Sequence, residues 1–243
     1  MGRGNAALAG ARDLFVSHGH LDHALGVPFV LSQRTLHHET GTRVFCPRAI
    51  AEDLAALVAA AERLERVAYR YQLVGLEPGE RVELGRELAI EAFATDHVVP
   101  SLGYQLLRRR RHLKPEFRAL DGAELADLRA RRLPIEEEHE ERWLAYCGDS
   151  GPDLWTLAPR LPESRVLLVE CTFLGDTMRQ RGAAYRHLHV DDLVARRAEL
   201  AHHEAILLHH LSRRHAPDEL RREIDARLPE LAGRIHVFGE GAR

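Results

Sequence analysis

Cysteine is scarce in this sequence, and long apolar runs are missing from it. Three cysteines, Cys46, Cys147 and Cys171, occur among 243 residues, and their number and spacing fit neither a disulfide framework nor a paired-cysteine zinc site. Such thiols suit a reducing compartment. No apolar run approaches the length of a membrane-spanning helix, and the first residues do not begin a secretory signal peptide. We therefore expect a cytoplasmic protein that makes no contact with membranes.

The sequence also lacks an excess of positive charge. Its 34 lysines and arginines against 37 aspartates and glutamates give a formal net charge of −3. This balance excludes general binding of polyanions, so contact with nucleic acid requires a local basic patch. A length of 243 residues and a hydrophobic content of 45% suit one large α/β domain with a sizeable core. We expect residues 1–243 to form a single domain.

What the sequence does contain is a dense set of metal-binding side chains near its start. The segment His18–His23 reads HGHLDH and directly follows the apolar run Leu14–Val16, so it begins where a short strand is predicted to end. Imidazole and carboxylate together suit zinc and similar divalent ions. A polar loop is the alternative in a chain with 16 histidines, but four such residues in this order behind a strand indicate a metal site.

Short β-like runs alternate with amphipathic helices along the rest of the chain. Strands are predicted at residues 13–16, 43–46, 87–94, 102–107, 143–147, 165–170, 205–209 and 234–238, and helices at residues 47–68, 191–203 and 217–228. Residues 108–142 differ, because four arginines open this segment, a glutamate-rich run closes it, and a helix-like piece, residues 123–132, lies between them. We interpret this segment as a charged excursion, or arm, between two strands.

Four further segments place potential ligands directly after apolar runs or before a helix. They contain His97, Asp149, the pair His187 and His189, and the pair His209 and His210. Taken alone, a histidine at a strand end is more often a structural residue, and the Gly-Asp-Ser-Gly run around Asp149 is more often a turn. Because strands of an α/β fold deliver functional residues to one rim, the occurrence of all four segments together favours a single site.

In their order along the chain, these segments resemble the metallo-β-lactamase superfamily, and specifically its tRNase Z (ribonuclease Z) branch. The run Ser17–His23 with Gly26–Pro28 matches the opening motif of that branch. The later matches are His97 with Pro100–Tyr104, Tyr146–Pro152, Leu168–Phe173, His187, and His210–Arg213. The resemblance extends from about residue 2 to about residue 215.

The resemblance implies an αββα sandwich, a fold of the α/β class, with a cleft for two divalent metal ions along one rim. By motif position, one ion would be held by His18, His20 and His97, the other by Asp22, His23 and His210, and both by Asp149. Zinc is the implied metal, with Mn²⁺ or Fe²⁺ as alternatives.

The resemblance also implies a reaction, a substrate and an assembly. Hydroxide held between the two ions would attack phosphorus, with Asp22 assisting as a base. His187 would protonate the leaving 3′ oxygen. Glu170 would hold that imidazole, although a buried glutamate that fixes the backbone is an equal alternative. The implied substrate is RNA, in the form of a tRNA precursor, and the implied assembly is a homodimer.

Several features depart from the family and keep other functions open. Only 17 residues precede His18, so we expect the fold to lack the family's first pair of strands. Residues 108–142 are short and charged where the family has an arm rich in glycine and proline. Arg108–Arg111 either bind phosphate or form a solvated face paired with Glu136–Glu141. The alternatives to RNA processing are a hydrolase of small phosphodiesters or other esters, a non-hydrolytic metal-binding module, and a redox di-iron protein, for which no flavin-binding motif is found.

Overall fold

The described strands form two sheets, and the first is built from parallel strands that helices connect. The computed structural model describes residues 10–240. Strands β1 (Asp13–Phe15), β2 (Thr42–Pro47) and β3 (Tyr71–Leu76) pair in parallel in that order. Parallel pairing requires a crossover between successive strands. Helices α1 (Leu21–Ala24) and α2 (Gly26–Leu36) supply it between β1 and β2, and α3 (Ala51–Glu65) supplies it between β2 and β3.

The second sheet contains seven strands within the described residues. They are β4 (Arg81–Glu83), β5 (Leu88–Ala94), β6 (Leu102–Leu113), β7 (Glu136–Tyr146), β8 (Val166–Glu170), β9 (Ala205–His209) and β10 (Ile235–Val237). Pairing is antiparallel from β4 through β7 and parallel from β7 through β10. The helices that follow in the chain are α4 (Gly122–Ala130), α5 (Leu154–Leu157), α6 (Asp176–Tyr185), α7 (Val190–Ala195), α8 (Arg197–Leu200) and α9 (Pro217–Arg227).

Among residues 10–240, three apolar clusters show how these layers pack. Phe45 of the first sheet and Tyr104 of the second belong to a cluster that lies between the sheets. Leu31 of α2 and Val58 of α3 cover the outer face of the first sheet. Helices α5, α7 and α9 cover the second sheet, and Leu220 of α9 is fully buried there. Helices therefore cover the outer face of each sheet, and the expected αββα sandwich is confirmed.

The predicted elements agree with the structure best where apolar runs are long. All eight predicted strands are present, with some ends shifted. The sequence patterns did not predict strands β3 and β4 or helices α1, α2, α5 and α6. The predicted helix over residues 191–203 is two short helices instead, because the backbone of Arg196 (φ −101°, ψ 21°) departs from helical geometry between α7 and α8.

The expected absence of a first strand pair concerns the chain before residue 10, which lies outside the described residues. Within residues 10–240, no helix is both long enough and apolar enough to cross a membrane.

Residues 108–142 form an arm in which β6 and β7 continue as an antiparallel ribbon. Arg108–Arg111 lie opposite Glu138–Glu141 in register. The guanidinium of Arg109 also reaches Glu83 of β4 at 2.7 Å. Helix α4 is part of the connection between β6 and β7 and matches the helix-like piece predicted at residues 123–132. The predicted excursion is therefore mostly β-ribbon, and its basic run faces its acidic run across the strands.

Candidate metal centre

The seven predicted ligands converge on one rim of the sandwich. All follow strand ends: His18, His20, Asp22 and His23 come after β1, His97 after β5, Asp149 after β7, and His210 after β9. A backbone bridge between His18 and Ser101 joins the two sheets at this rim. Strand ends that meet at one edge thus bring side chains from four separate parts of the chain to one place.

The first group of potential ligands consists of His18, His20, His97 and Asp149. One ligand atom from each lies within 4.8 Å of the corresponding atoms of the others. Nδ1 of His20 is 3.1 Å from Nε2 of His18 and 3.3 Å from Nε2 of His97. Three ring nitrogens therefore point toward a common space, as they do around a bound divalent ion.

The second group consists of Asp22, His23 and His210, which also meet within 4.8 Å. Nε2 of His23 is 3.6 Å from Oδ2 of Asp22 and 3.4 Å from Oδ2 of Asp149. Nε2 of His210 is 3.2 Å from the same Asp149 oxygen. Oδ2 of Asp149 therefore faces both groups.

Burial keeps two imidazoles of the first group, His18 and His97, neutral. Desolvation lowers the pKa of His18 to about 3, and burial also lowers the pKa of His97. Neutral imidazole is the form that binds a metal ion. These two rings are thus in their metal-binding form at neutral pH.

Asp149 is a buried carboxylate that stays charged. Burial alone would raise its pKa, but the hydrogen bond from His23 and the nearby imidazoles of His210 and His23 bring the pKa well below its usual range. Oδ1 of Asp149 is buried and has no hydrogen-bond partner among residues 10–240. A buried anionic oxygen without a partner is costly unless a cation lies beside it. The residues at this rim therefore fit metal ions.

In three of these histidines, the ring nitrogen that faces away from the other ligands contacts an oxygen atom. The pairs are Nδ1 of His18 with Oγ of Ser17 at 3.1 Å, Nδ1 of His210 with Oγ1 of Thr172 at 2.9 Å, and Nδ1 of His97 with the carbonyl oxygen of Arg186 at 3.4 Å. Such outer hydrogen bonds fix the ring orientation and the tautomer of metal-binding histidines. The donor set and its supports suit zinc or a similar divalent ion.

These supporting residues were not identified from the sequence. The position of Ser17 directly before His18 is a signal that could have indicated its role. Thr172 lies 38 residues from its partner His210. Arg186 accepts through a backbone carbonyl, which every residue type possesses, so no residue pattern could have pointed to it.

Glu170 is the last residue of β8, and its side chain is fully buried. Its carboxylate contacts three parts of the site. Its Oε1 accepts the backbone N–H of Ser150 at 2.7 Å and lies 2.8 Å from Nδ1 of His187. Its Oε2 accepts the backbone N–H of Leu188 at 3.1 Å and the hydroxyl of Thr172. Glu170 therefore contacts the imidazole and also fixes the backbone, so the two roles considered from the sequence coexist.

The pKa values of this pair reflect their contact. Burial raises the pKa of Glu170, and the hydrogen bond from His187 opposes that rise. Burial would lower the pKa of His187, but the hydrogen bond and charge of Glu170 raise it above its ordinary value. His187 also lies within ligand reach of Asp149 and His210, since their ligand atoms meet within 4.8 Å.

His189 and His209 belong to neither ligand group. Nδ1 of His189 accepts the backbone N–H of Asp191 at 3.1 Å and caps helix α7. His209 is stacked against Tyr146, with ring centroids 5.4 Å apart, and burial lowers its pKa to about 4. Both rings thus lie beside the site without facing its centre.

A cleft of about 470 Å³ opens beside the second ligand group. Asp22, His187 and His210 line it, together with Arg181, Arg213 and Arg214. Within residues 10–240, none of these three arginines forms an ion pair with a carboxylate. Their charges therefore face the cleft without a counterion from the described part of the chain.

Comparisons with known proteins agree with this geometry. Residues 4–210 match the family model of the beta-lactamase superfamily domain. The chain is 32% identical over 232 residues to tRNase Z TRZ1 of Arabidopsis thaliana, an alignment that covers 94% of this chain and 82% of that protein.

Two solved structures are similar in fold. The metallo-β-lactamase fold protein YhfI of Bacillus subtilis superposes with a TM-score of 0.59 at 18% identity, over 93% of this chain and 73% of that one. The short form of human tRNase Z superposes with a TM-score of 0.56 at 16% identity, over 85% of this chain and 74% of that one. The chain belongs to the metallo-β-lactamase superfamily, in its tRNase Z-like branch, and is a metal-dependent hydrolase.

Proposed function

We propose that this enzyme is a two-metal phosphodiesterase that processes the 3′ ends of RNA, with tRNA precursors as substrates. One observation carries the proposal: Oδ2 of Asp149 lies 3.7 Å from Nε2 of His18 in one ligand group and 3.2 Å from Nε2 of His210 in the other. An oxygen shared by two ligand groups is what two neighbouring ions require. The relative named tRNase Z TRZ1 supports RNA as the substrate.

Each ligand group would hold one divalent ion. His18, His20 and His97 would bind the first ion, Asp22, His23 and His210 the second, and Asp149 both. Nitrogen and carboxylate donors favour zinc, with Mn²⁺ or Fe²⁺ as alternatives. When bound, the two ions supply an activated water for attack on phosphorus and stabilise the charge that develops on the phosphate oxygens.

Asp22 and His187 are proposed to move the protons of the reaction. The carboxylate of Asp22 is exposed at the cleft and would accept a proton from the attacking water. Nδ1 of His187 is held by Glu170, which leaves Nε2 to donate a proton to the leaving 3′ oxygen. Glu170 acts here as a positioning residue that also raises the pKa of His187 and so favours its protonated form.

The arginines of the cleft are proposed to bind the RNA phosphates. Arg181, Arg213 and Arg214 lie along the same cleft as His187. Guanidinium groups without carboxylate partners are available for phosphate oxygens. The basic run of the arm is less available, since Arg109 contacts both Glu83 and Glu140. The pairing favours the solvated-face interpretation for this part of the arm.

The proposal is tested by offering the metal-loaded enzyme two substrates side by side. We expect cleavage of a 3′-extended tRNA precursor, with a 3′ hydroxyl left on the tRNA and a 5′ phosphate on the trailer. Bis(p-nitrophenyl) phosphate serves as the small diester. Turnover of the small diester alone would favour a small-molecule phosphodiesterase. Metal binding without turnover of either substrate would favour a non-hydrolytic module.

A homodimer is proposed on the basis of an apolar stripe on helices α1 and α2. Leu21, Leu25, Phe29 and Leu36 are large apolar residues exposed along this helix pair. Exposed apolar side chains in a row are typical of a contact surface, and a second copy would bury them. Light scattering of the wild type and of Phe29→Asp tests this: we expect a dimer for the first and a monomer for the second.

The cytoplasm is the proposed location, and a single domain is the proposed organisation. The three cysteines are free and buried, which a reducing compartment preserves. Cell fractionation tests the location, and a single cooperative unfolding transition of the full chain tests the organisation.

A further inference from the structure

Tyr185 and Arg181 form a stacked pair at the wall of the cleft. They lie one turn apart on α6, and Cζ of Arg181 is 5.3 Å from the centroid of the Tyr185 ring. Both residues line the cleft that His187 also lines. The Tyr185 side chain is 52% exposed, so a large part of this aromatic residue faces solvent at the substrate cleft.

The fold itself does not use this pair. Among residues 10–240, Arg181 forms no ion pair and the Tyr185 hydroxyl forms no hydrogen bond. Arg179, on the same helix, shows the usual alternative, because its guanidinium pairs with Asp191 at 2.9 Å. An exposed ring stacked with an unpaired guanidinium is therefore a feature that packing does not explain.

The chemistry of the pair suits a flat, π-rich ligand attached to phosphate. A guanidinium stacked on an aromatic ring presents planar surfaces on which a nucleobase can stack, together with a positive charge. The volume of about 470 Å³ lies within the usual size of small-ligand sites, roughly 300–1,000 Å³. Stacking of this kind tolerates any base, since every base has a π-face.

We infer that Tyr185 and Arg181 form the subsite for the nucleobase on the 5′ side of the scissile phosphate. This nucleotide carries the 3′ oxygen that leaves, and His187, the residue proposed to protonate that oxygen, follows Tyr185 by two positions. The inference rests on the proposed function, because the proposed role of His187 identifies the side of the cleft that holds the leaving 3′ oxygen. The base is held by stacking, independently of its identity.

The test measures binding of a product RNA, so it does not depend on cleavage. The probe is a short single-stranded RNA that ends in a 3′ hydroxyl, with fluorescent 2-aminopurine as its last base, and it is added to the metal-loaded full chain. We expect the fluorescence to be quenched on binding, as stacking on Tyr185 requires. Tyr185→Phe should keep the quenching, while Tyr185→Ala should lose it and weaken binding by roughly 5- to 100-fold.

An RNA that lacks the last base separates stacking from a general loss of structure. This abasic RNA should bind the wild type as weakly as Tyr185→Ala binds the complete RNA, and Tyr185→Ala should weaken its binding no further. Arg181→Ala should weaken binding of the complete RNA, whereas Arg179→Ala, which removes the same charge from the same helix, should leave it within about threefold. Circular dichroism of each variant checks that it folds.

Three results would overturn the inference. These are equal quenching in the wild type and Tyr185→Ala, an equal loss for the complete and abasic RNAs, and no binding of the probe to the wild type. A wild type that quenches the probe but does not cleave the tRNA precursor would instead contradict the proposed function and leave the subsite in place.

Discussion

Nδ1 of His187 lies 2.8 Å from Oε1 of Glu170, and that same oxygen accepts the backbone N–H of Ser150. Ser150 directly follows Asp149, so one buried carboxylate oxygen fixes both the imidazole and the turn that carries the shared ligand. The position of the proposed proton donor is thereby tied to the position of the proposed metal ions. A change at Glu170 should consequently affect both.

His187→Ala should retain both metal ions and lose roughly 100- to 10,000-fold in rate on RNA, because the leaving 3′ oxygen would depart without a proton. The loss should be much smaller on bis(p-nitrophenyl) phosphate, whose p-nitrophenolate leaves readily as an anion. Rates on both substrates and metal content by mass spectrometry provide the measurement. Loss of an ion, or equal impairment on both substrates, would show His187 to be a ligand or a structural residue.

The metal content of ligand variants should follow the two groups. We expect close to two equivalents of zinc in the wild type, since two sets of donors meet at Asp149. His18→Ala and His23→Ala should each deplete a different ion, and Asp149→Asn should weaken both. Elemental analysis after gentle purification measures this. A well-folded wild type that cannot be loaded beyond one equivalent would contradict the dinuclear site.

Arg186 should influence metal binding through His97. Its guanidinium lies 3.4 Å from Oδ1 of Asp96 and donates to the carbonyl oxygen of His97 at 3.3 Å. Removing this support in Arg186→Ala should weaken zinc affinity roughly 10-fold, the lower end for a residue that orients a ligand. Competition with a fluorescent chelator measures the change, and unchanged affinity would show that the Arg186 guanidinium does not support His97.

Arg186→Gly is the matched comparison for that variant. Arg186 adopts a left-handed conformation, with φ of 52° at the end of α6, which glycine tolerates without strain. Arg186→Gly should therefore be about 1 kcal/mol more stable than Arg186→Ala in chemical unfolding, while showing the same loss of zinc affinity. A difference in zinc affinity between the two variants would mean that backbone strain, and not the guanidinium, sets the effect.

His203 should make the stability of the protein depend on pH. It is fully buried, and burial followed by the charges of His202 and Arg234 lowers its pKa. Because the folded pKa lies below the unfolded value of about 6.5, the unfolded chain binds the proton more readily. The stabilising contribution of the neutral ring is present above that value and is lost as the pH falls, by up to about 1.4 kcal/mol per pH unit.

His203→Asn provides the control for this pH dependence. Nδ1 of His203 contacts the carbonyl oxygen of Ser164 at 2.6 Å, and an asparagine amide can donate to the same oxygen without titrating. Urea unfolding of the metal-free proteins between pH 7.5 and about 5 should show a shallower decline for the variant. Parallel declines in both proteins would assign the pH dependence to other groups.

The site was easiest to predict from the sequence where several metal-binding side chains lie close together in one segment. Four ligand-type residues within His18–His23 indicate a metal site by themselves, and the structure places them at a strand end as their spacing suggested. The partners of this motif, such as Asp149 and His210, required the resemblance to a family. Each is an ordinary turn or strand-end residue in its own segment. Pairing between strands that are far apart in the sequence brings both residues to the rim.

The elements that were missed have weak local patterns. Strand β4 has only three residues, and β3 (Tyr71–Leu76) includes a glycine and a glutamine among its apolar residues. Both are defined by pairing with neighbours in the sheet, which a local window does not contain. The supporting contacts around the ligands were missed for a related reason, since they are made by hydroxyls and backbone carbonyls that are common everywhere in the chain.

The arm has a consequence for how its two strands find their alignment. Arg108–Arg111 faces a run of glutamates interrupted by His139, so a slip of two residues toward Glu136 would still place most arginines opposite a glutamate. The charges therefore specify which strand is the partner but tolerate several alignments. Alignment is fixed at the base instead, where the fully buried Leu107 and Ala145 flank the irregularity after Leu106. An arm built in this way can gain or lose matched arginine–glutamate pairs at its tip while the metal-binding rim keeps its geometry.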